Sequence, residues 1–158
     1  MSERTMGGLA GARARGRNGE VVLDGPIRIR ILENGTNTGH RLGVTENVLA
    51  PATTGAPQHI QREHVETFFV VSGTVRFTSG TEHADVPAGG LLTAPIGVPR
   101  TFANPDADEP ATFLCTFTPD RYIDYFRELG ALRPGPDGLD PAVVLDLMSR
   151  YATEPYRG

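Results

Sequence analysis

The sequence predicts an all-β domain, built as an antiparallel sandwich or barrel and followed by two helices. Between Glu20 and Pro119 about nine short apolar or alternating runs follow one another, bounded by Gly, Pro, Asn or Asp, with no helical pattern between them. Such strands pair antiparallel, because a parallel pair needs a crossover of a dozen or more residues. After Pro119 the spacing of apolar residues changes from two to about 3.6, the period of a helix.

The chain is long enough for one domain with its own core, and its pattern divides it into three parts. Residues 1–19 are rich in Gly, Ala and Arg without periodicity, which predicts a flexible N-terminal arm. Residues 20–118 carry the strand signals of the predicted barrel. Residues 119–158 are predicted to form a helical cover packed on that barrel.

The strand signals differ in clarity along the barrel segment. Ile27, Ile29 and Ile31 alternate along one run, which predicts a half-buried strand. In the next run, RLGVTENVLAP, the alternation does not decide whether Glu46 faces inward or outward. Residues 67–72 form a further β-type run, and the following Gly and TVRFTS predict a hairpin.

Two amphipathic patterns predict the C-terminal helices. The first places four large apolar residues along one stripe: Tyr122, Ile123, Phe126 and Leu129. The second begins at Asp140, a good N-terminal cap, with Pro141 in the first turn. Both are short and mix their charges, so their apolar faces are interpreted as packing surfaces and not as a membrane anchor.

Composition excludes several functions. The net charge of −4 argues against a nucleic-acid partner, which would need a basic face. All 15 basic residues are Arg, so Schiff-base chemistry on Lys is impossible. The single Cys115 cannot form an intramolecular disulfide, which favours the cytoplasm. No stretch approaches the roughly 20 apolar residues that span a bilayer, so no membrane partner is expected.

A polar cluster precedes the strand at residues 67–72. Side chains two positions apart share a face in extended chain, so His59 and Gln61 point together. After a turn, His64 and Glu66 do the same. This spacing is typical of a ligand cage in an all-β scaffold.

Two glycine-framed motifs contain this cluster and its expected partner. The first consists of Gly55, His59, Gln61, Glu66 and Gly73, and the second of Gly90, Pro95, Gly97, Arg100 and Asn104. Together they resemble the two motifs of the cupin superfamily over about residues 22–150. The chain is most similar to the small single-domain, quercetinase-like members. The resemblance implies a jelly-roll β-barrel and a homodimer.

In cupins that use a metal, the resemblance implies a divalent ion held by three His and one Glu. His59 and Glu66 match that set, whereas Gln61 and Arg100 replace the other two His. A Gln carbonyl can bind a cation, but a guanidinium has no lone pair and brings a positive charge. A degenerate site without a metal cofactor is therefore predicted.

An alternative keeps the metal. If His64 swings into the cavity and Arg100 turns away, then His59, Gln61, Glu66 and His64 supply four ligands for Fe, Mn, Ni, Cu or Zn. A His on a turn is more often solvated, which favours the site without a metal.

The leading hypothesis is a metal-independent enzyme of the isomerase or cyclase type, acting on a small organic substrate, natural products included. Arg100 would bind an oxyanion while His59 or Glu66 moves a proton, so these three are the predicted catalytic residues. The predicted substrate contacts are Gln61, His64, Phe68, Val70 and Phe102.

Three other interpretations remain open. One is a metal-dependent quercetinase-like dioxygenase, and another is a small-ligand-binding cupin without catalysis. The third is a buried polar network kept only for packing. Burying Arg, Glu and His is costly unless every group is satisfied, so polar groups gathered in a barrel favour a ligand site.

Overall fold

The computed structural model describes residues 5–9, 11–15 and 19–158, with side chains at residue 11 and from residue 19 onward. Within these ranges the chain forms thirteen strands and two helices. The strands are β1 (Thr5–Leu9), β2 (Ala12–Arg15), β3 (Glu20–Asp24), β4 (Ile27–Glu33), β5 (Gly43–Leu49), β6 (His59–Gln61), β7 (Val65–Ser72), β8 (Thr74–Ser79), β9 (Glu82–Pro87), β10 (Leu91–Ala94), β11 (Thr101–Ala103), β12 (Ala111–Thr118) and β13 (Thr153–Pro155). The helices are α1 (Tyr122–Ala131) and α2 (Pro141–Arg150).

Two antiparallel sheets form the body of the protein. The larger has six strands in the order β10-β7-β12-β5-β4-β3, and the smaller has the order β11-β8-β9. A bridge between His59 and Arg100 places β6 beside the start of β11, and β13 pairs with the other edge of β6. The predicted antiparallel β fold with two C-terminal helices is confirmed.

The core lies between the sheets because alternate side chains of each central strand point inward. Ile29 and Ile31 are buried, as their alternation predicted. Phe113 and Phe117 of β12 are each 1% exposed. Glu46 lies on the outer face of β5, where its Oε1 accepts from Nε of Arg30 at 3.2 Å.

The C-terminal segment packs on the sandwich. It contributes four side chains to the hydrophobic core, namely Tyr122, Ile123, Tyr125 and Leu147. Asp140 caps α2 by accepting from the backbone N–H of Ala142 at 2.9 Å, with Pro141 at the first helical position. The segment is not only helical, because β13 adds a strand that its sequence did not predict.

The predicted arm contains β1 and β2, which pair as an antiparallel hairpin. The sequence there has no strand periodicity, so this hairpin was not expected. Residues 1–4, 10 and 16–18 lie outside the described part, and the arm's flexibility stays a prediction. In the portions of the chain that are described, no helix has the length and apolar character needed to cross a membrane.

Candidate functional site

The polar residues of both motifs meet inside the sandwich. Glu66 faces inward from β7, on the same side as Phe68 and Val70. Arg100 lies immediately before β11, and its backbone N–H and C=O exchange hydrogen bonds with His59 of β6 at 3.1 and 3.2 Å. The two motifs are thus joined by backbone pairing.

Arg100 is the central residue of the cluster and is only 3% exposed. Its Nη2 donates to Oε1 of Gln61 at 2.5 Å and lies 3.6 Å from Oε2 of Glu66. Its Nη1 donates to the carbonyl of Val98 at 2.9 Å. Nε has no hydrogen-bond partner among the residues that the structure describes. An Arg has five N–H donors, so this guanidinium keeps unused donors inside the protein.

Glu66 lies between Arg100 and His64. Nε2 of His64 donates to Oε1 of Glu66 at 3.0 Å, while Arg100 approaches the other carboxylate oxygen. Burial opposes ionisation of Glu66, but the His64 hydrogen bond and the charge of Arg100 outweigh it, so the pKa of this carboxyl lies below its ordinary value. Glu66 is therefore an anion at neutral pH.

His64 lies in the protein interior, although a His on a turn is more often solvated. It is 3% exposed, and its ring packs edge-on against Tyr122 of α1, with centroids 4.6 Å apart. The ring of Phe117 is also edge-on to His64, with the two centroids 5.8 Å apart. The helical cover therefore encloses this His and holds it against Glu66.

His59 differs from the other members because it is only half-buried. Its Nδ1 lies 3.2 Å from the carbonyl of Pro57. A carbonyl only accepts, so Nδ1 carries the proton and Nε2 of the neutral ring has a lone pair. Burial lowers the pKa of His59 below its ordinary value, against the opposing attraction of Glu66. The neutral ring is the predominant form at pH 7.

This lowered pKa predicts a pH dependence of stability. Below about pH 6.5 the unfolded chain takes up a proton at His59 more readily than the folded protein does, so the free energy of unfolding falls as the pH falls. Between about pH 7.5 and about pH 5, urea unfolding should show a larger loss for the wild type than for His59→Asn, which cannot titrate. Equal losses in the free energy of unfolding for the two proteins would contradict a lowered pKa of His59.

The predicted apolar lining is mostly core. Phe68 and Val70 are 2% and 0% exposed, and Phe68 packs against Phe77 and Phe113. Only Phe102 is half-buried and near the surface. Contact of these residues with a substrate stays a prediction.

Two inward polar residues were not recognised in the sequence. Thr45 and Asn47 of β5 are buried, and Nδ2 of Asn47 donates to Oγ1 of Thr45 at 2.9 Å. The run is polar at Thr45, Glu46 and Asn47 in succession, so alternation alone could not identify the inner face. The regular spacing of inward side chains on its neighbour β12 was the available signal.

Two framing glycines have structural roles. Gly73 adopts φ +72°, and a Cβ there would lie 2.6 Å from the carbonyl oxygen of Pro110. A Cβ at Gly55 would lie 2.6 Å from the carbonyl oxygen of Phe102. Both positions require glycine because a neighbouring backbone passes too close for a side chain.

The donor set does not fit a divalent metal. Within residues 5–9, 11–15 and 19–158, no group of three or more His, Cys, Asp or Glu side chains is placed to hold an ion. The guanidinium of Arg100 contacts Gln61 and Glu66, two of the groups that would have to ligate it. A positive charge thus takes the place that a cation would need.

Comparison with protein families finds one match. A sequence model described as "Cupin domain" matches residues 46–117, which span both motifs from β5 to β12. No curated relative matches the sequence.

Solved structures support the same fold. An RmlC-like cupin from Shewanella frigidimarina NCIMB 400 is 19% identical with a TM-score of 0.58, covering 78% of this chain and 99% of its own. A sugar phosphate isomerase of the cupin superfamily from Silicibacter pomeroyi DSS-3 is 25% identical with a TM-score of 0.52, covering 59% of each chain. KdgF from Halomonas sp. is 16% identical with a TM-score of 0.53, covering 61% of this chain and 83% of its own. The jelly-roll arrangement expected from the two motifs is confirmed.

Proposed function

Because this chain is a small protein of the cupin superfamily, we propose that it is a small-molecule enzyme that transfers protons without a metal ion. The observation that carries the proposal is Arg100, a buried guanidinium with unused donors at the place of a metal-ligating His in the second motif. A fixed cation beside a neutral base is the arrangement that enolate or phenolate chemistry needs.

In this proposal Arg100 and His59 have different roles. Arg100 binds the oxygen on which negative charge develops, because its charge is compensated only partly by Glu66 at 3.6 Å. His59 accepts the proton at Nε2, since Nδ1 is engaged by the carbonyl of Pro57. His64 and Arg100 approach the two oxygens of Glu66 and hold its pKa below the ordinary value, so Glu66 orients Arg100 and is a weak proton acceptor.

The likeness to a sugar phosphate isomerase, at 25% identity, supports isomerase-type chemistry. Sugar isomerisation removes a proton from the carbon next to a carbonyl group and returns it to the former carbonyl carbon, while a hydroxyl proton moves between the two oxygens. In this proposal His59 moves the carbon-bound proton and Arg100 stabilises the negatively charged oxygen. A natural-product substrate, a homodimer and a cytoplasmic location remain predictions.

Deuterium exchange tests the proposal. Carbonyl compounds with an acidic C–H, such as hydroxy-ketones and keto acids, are incubated with the protein in D₂O and followed by NMR. His59→Ala is expected to slow the exchange by about 100-fold or more, the usual contribution of a general base. His40→Ala, which removes an exposed His paired with Asp120, should leave the rate unchanged.

Two results would overturn the proposal. One is exchange that persists in His59→Ala. The other is stoichiometric Fe, Mn, Ni, Cu or Zn in protein purified without chelator, which would favour the quercetinase-like dioxygenase. Ligand binding that depends on His59 and Glu66, without any turnover, would favour a cupin that only binds its ligand.

A further inference from the structure

A cleft of about 220 Å³ opens between the two sheets where their edge strands face each other. One wall is β9, the edge of the smaller sheet, and the other is β10, the edge of the larger sheet. The residues that line it include Phe77, Glu82, Ala84, Leu92, Ala94 and Arg100.

Strand pairing fixes which of these side chains face into the cleft. Antiparallel partners share a face, and Ala84 pairs with Phe77, whose side chain is 4% exposed in the core. Glu82 lies two residues before Ala84 and so points to the same side. On β10, Leu92 pairs with the buried Phe68 and also faces inward.

Two of the residues that line the cleft are small, one on each wall. Ala84 of β9 and Ala94 of β10 both line it, and Ala84 is exposed although it faces the inter-sheet space. A larger side chain at either position would close the gap between the sheets. The small side chains at these two positions therefore leave room for a ligand.

The cleft is also polarised. Arg100 forms part of its wall and is 3% exposed, and its Nε–H has no hydrogen-bond partner in the described part of the chain. Glu82, in contrast, is exposed. Phe77 and Leu92 supply apolar surface. A ligand meets the Arg100 cation at the buried end, apolar walls beside it, and Glu82 with the adjacent His83 at the exposed end.

We propose that this cleft binds a small organic monoanion, with its carboxylate at Arg100 and a hydroxyl or amine donor at Glu82. The charge of Glu82 disfavours a second anionic group at the outer end, and the flat or short apolar part of the ligand lies between Phe77 and Leu92. This inference rests on the proposed function, since the carboxylate would be held by the same guanidinium that binds the negatively charged oxygen there.

Three probes test the class of ligand on the full chain. 4-Hydroxybenzoate carries one carboxylate and one hydroxyl, 4-hydroxybenzamide lacks the charge, and terephthalate adds a second charge at the far end. In NMR titrations 4-hydroxybenzoate should shift the Nε–H signal of Arg100, assigned by its loss in Arg100→Lys, and the amides of Ala84 and Leu92. The other two probes should bind at least tenfold more weakly, and Glu82→Gln should remove the discrimination against terephthalate.

Filling the cleft tests its location. Ala84→Leu should raise the Kd for 4-hydroxybenzoate at least tenfold, and Ala84→Val should raise it by less. Ala88→Leu is the matched control, because Ala88 lies on the exposed turn after β9 and outside the cleft. This variant should bind like the wild type.

The proposal is overturned if none of the probes binds, if Ala84→Leu binds as tightly as the wild type, or if the shifts are confined to His59 and Phe102. Binding is also measured in His59→Ala, since His59 does not line the cleft. Binding retained there without deuterium exchange supports both proposals. Cleft binding together with exchange that survives in His59→Ala rejects only the proposed function.

Discussion

Replacing Arg100 by Met is expected to lower the free energy of unfolding by about 3–5 kcal/mol, the usual cost of removing one partner from a buried ion pair. Arg100 and Glu66 have side chains 3% and 5% exposed, so Met would leave the Glu66 carboxylate without its buried cation. Gln61 would lose its donor as well. Urea unfolding monitored by circular dichroism measures the change.

A double-mutant cycle separates this charge effect from a loss of packing. Adding Glu66→Gln to Arg100→Met should cost little or restore stability, because it neutralises the unpaired carboxylate. If the losses in the free energy of unfolding of the two single variants simply add in the double variant, the two residues are not coupled. Arg76→Met is the surface control: Arg76 pairs with Asp85 at 2.7 Å but both side chains are over 40% exposed, so its loss should be much smaller.

Restoring two His should create a metal site. The double variant Gln61→His with Arg100→His has three His and one Glu in the positions of the family motif. It is expected to bind one Zn²⁺ or Co²⁺ per chain, because imidazoles replace a cation that has no lone pair. At 4 Å and an effective dielectric of 20, each pair of unit positive charges repels by about 4 kcal/mol. Removing the charge of Arg100 should therefore increase the affinity for a metal ion strongly. Metal analysis after dialysis and the visible spectrum of the Co²⁺ form measure it.

Gln61→His alone is the matched control for this experiment. It adds a ligand but keeps the guanidinium, so it should retain no stoichiometric metal. Stoichiometric binding by this single variant would show that Arg100 does not exclude the ion. If added Zn²⁺ raises the Tm of the double variant only, this would also show that removing Arg100 allows the metal to bind, because a ligand that binds the folded state stabilises it.

The sheets were predictable because their signals are local. Ile29 and Ile31 alternate with neighbours that face outward, and turn residues mark the strand ends, so fold class follows from short stretches of sequence. Where a run was polar on both faces, as at Thr45, Glu46 and Asn47, the same rule failed. The partner strand decided the orientation there.

The candidate site was predictable only in part, for a related reason. Glu66 and Gln61 face inward as the period of a strand requires, and Arg100 lies beside both. The burial of His64 depends on Tyr122, which is far along the chain and belongs to a helix. No pattern near His64 could show that contact.

The cleft illustrates the same limit of local signals. Ala84 and Ala94 carry no chemical signal in the sequence. Their importance arises because β9 and β10 end different sheets and face each other. Space between elements depends on topology, which neither residue encodes alone.

The pairing of β13 with β6 affects the order in which the strands pair during synthesis of the chain. β6 carries His59 and Gln61, and one of its two neighbouring segments is residues 153–155. The hydrogen bond from Arg62 to Glu154 at this junction joins residues 92 positions apart. Contacts of such separation form late, since loop closure must precede them. On the ribosome the barrel strands emerge first, and β6 gains this neighbour only after residue 155 has left the exit tunnel.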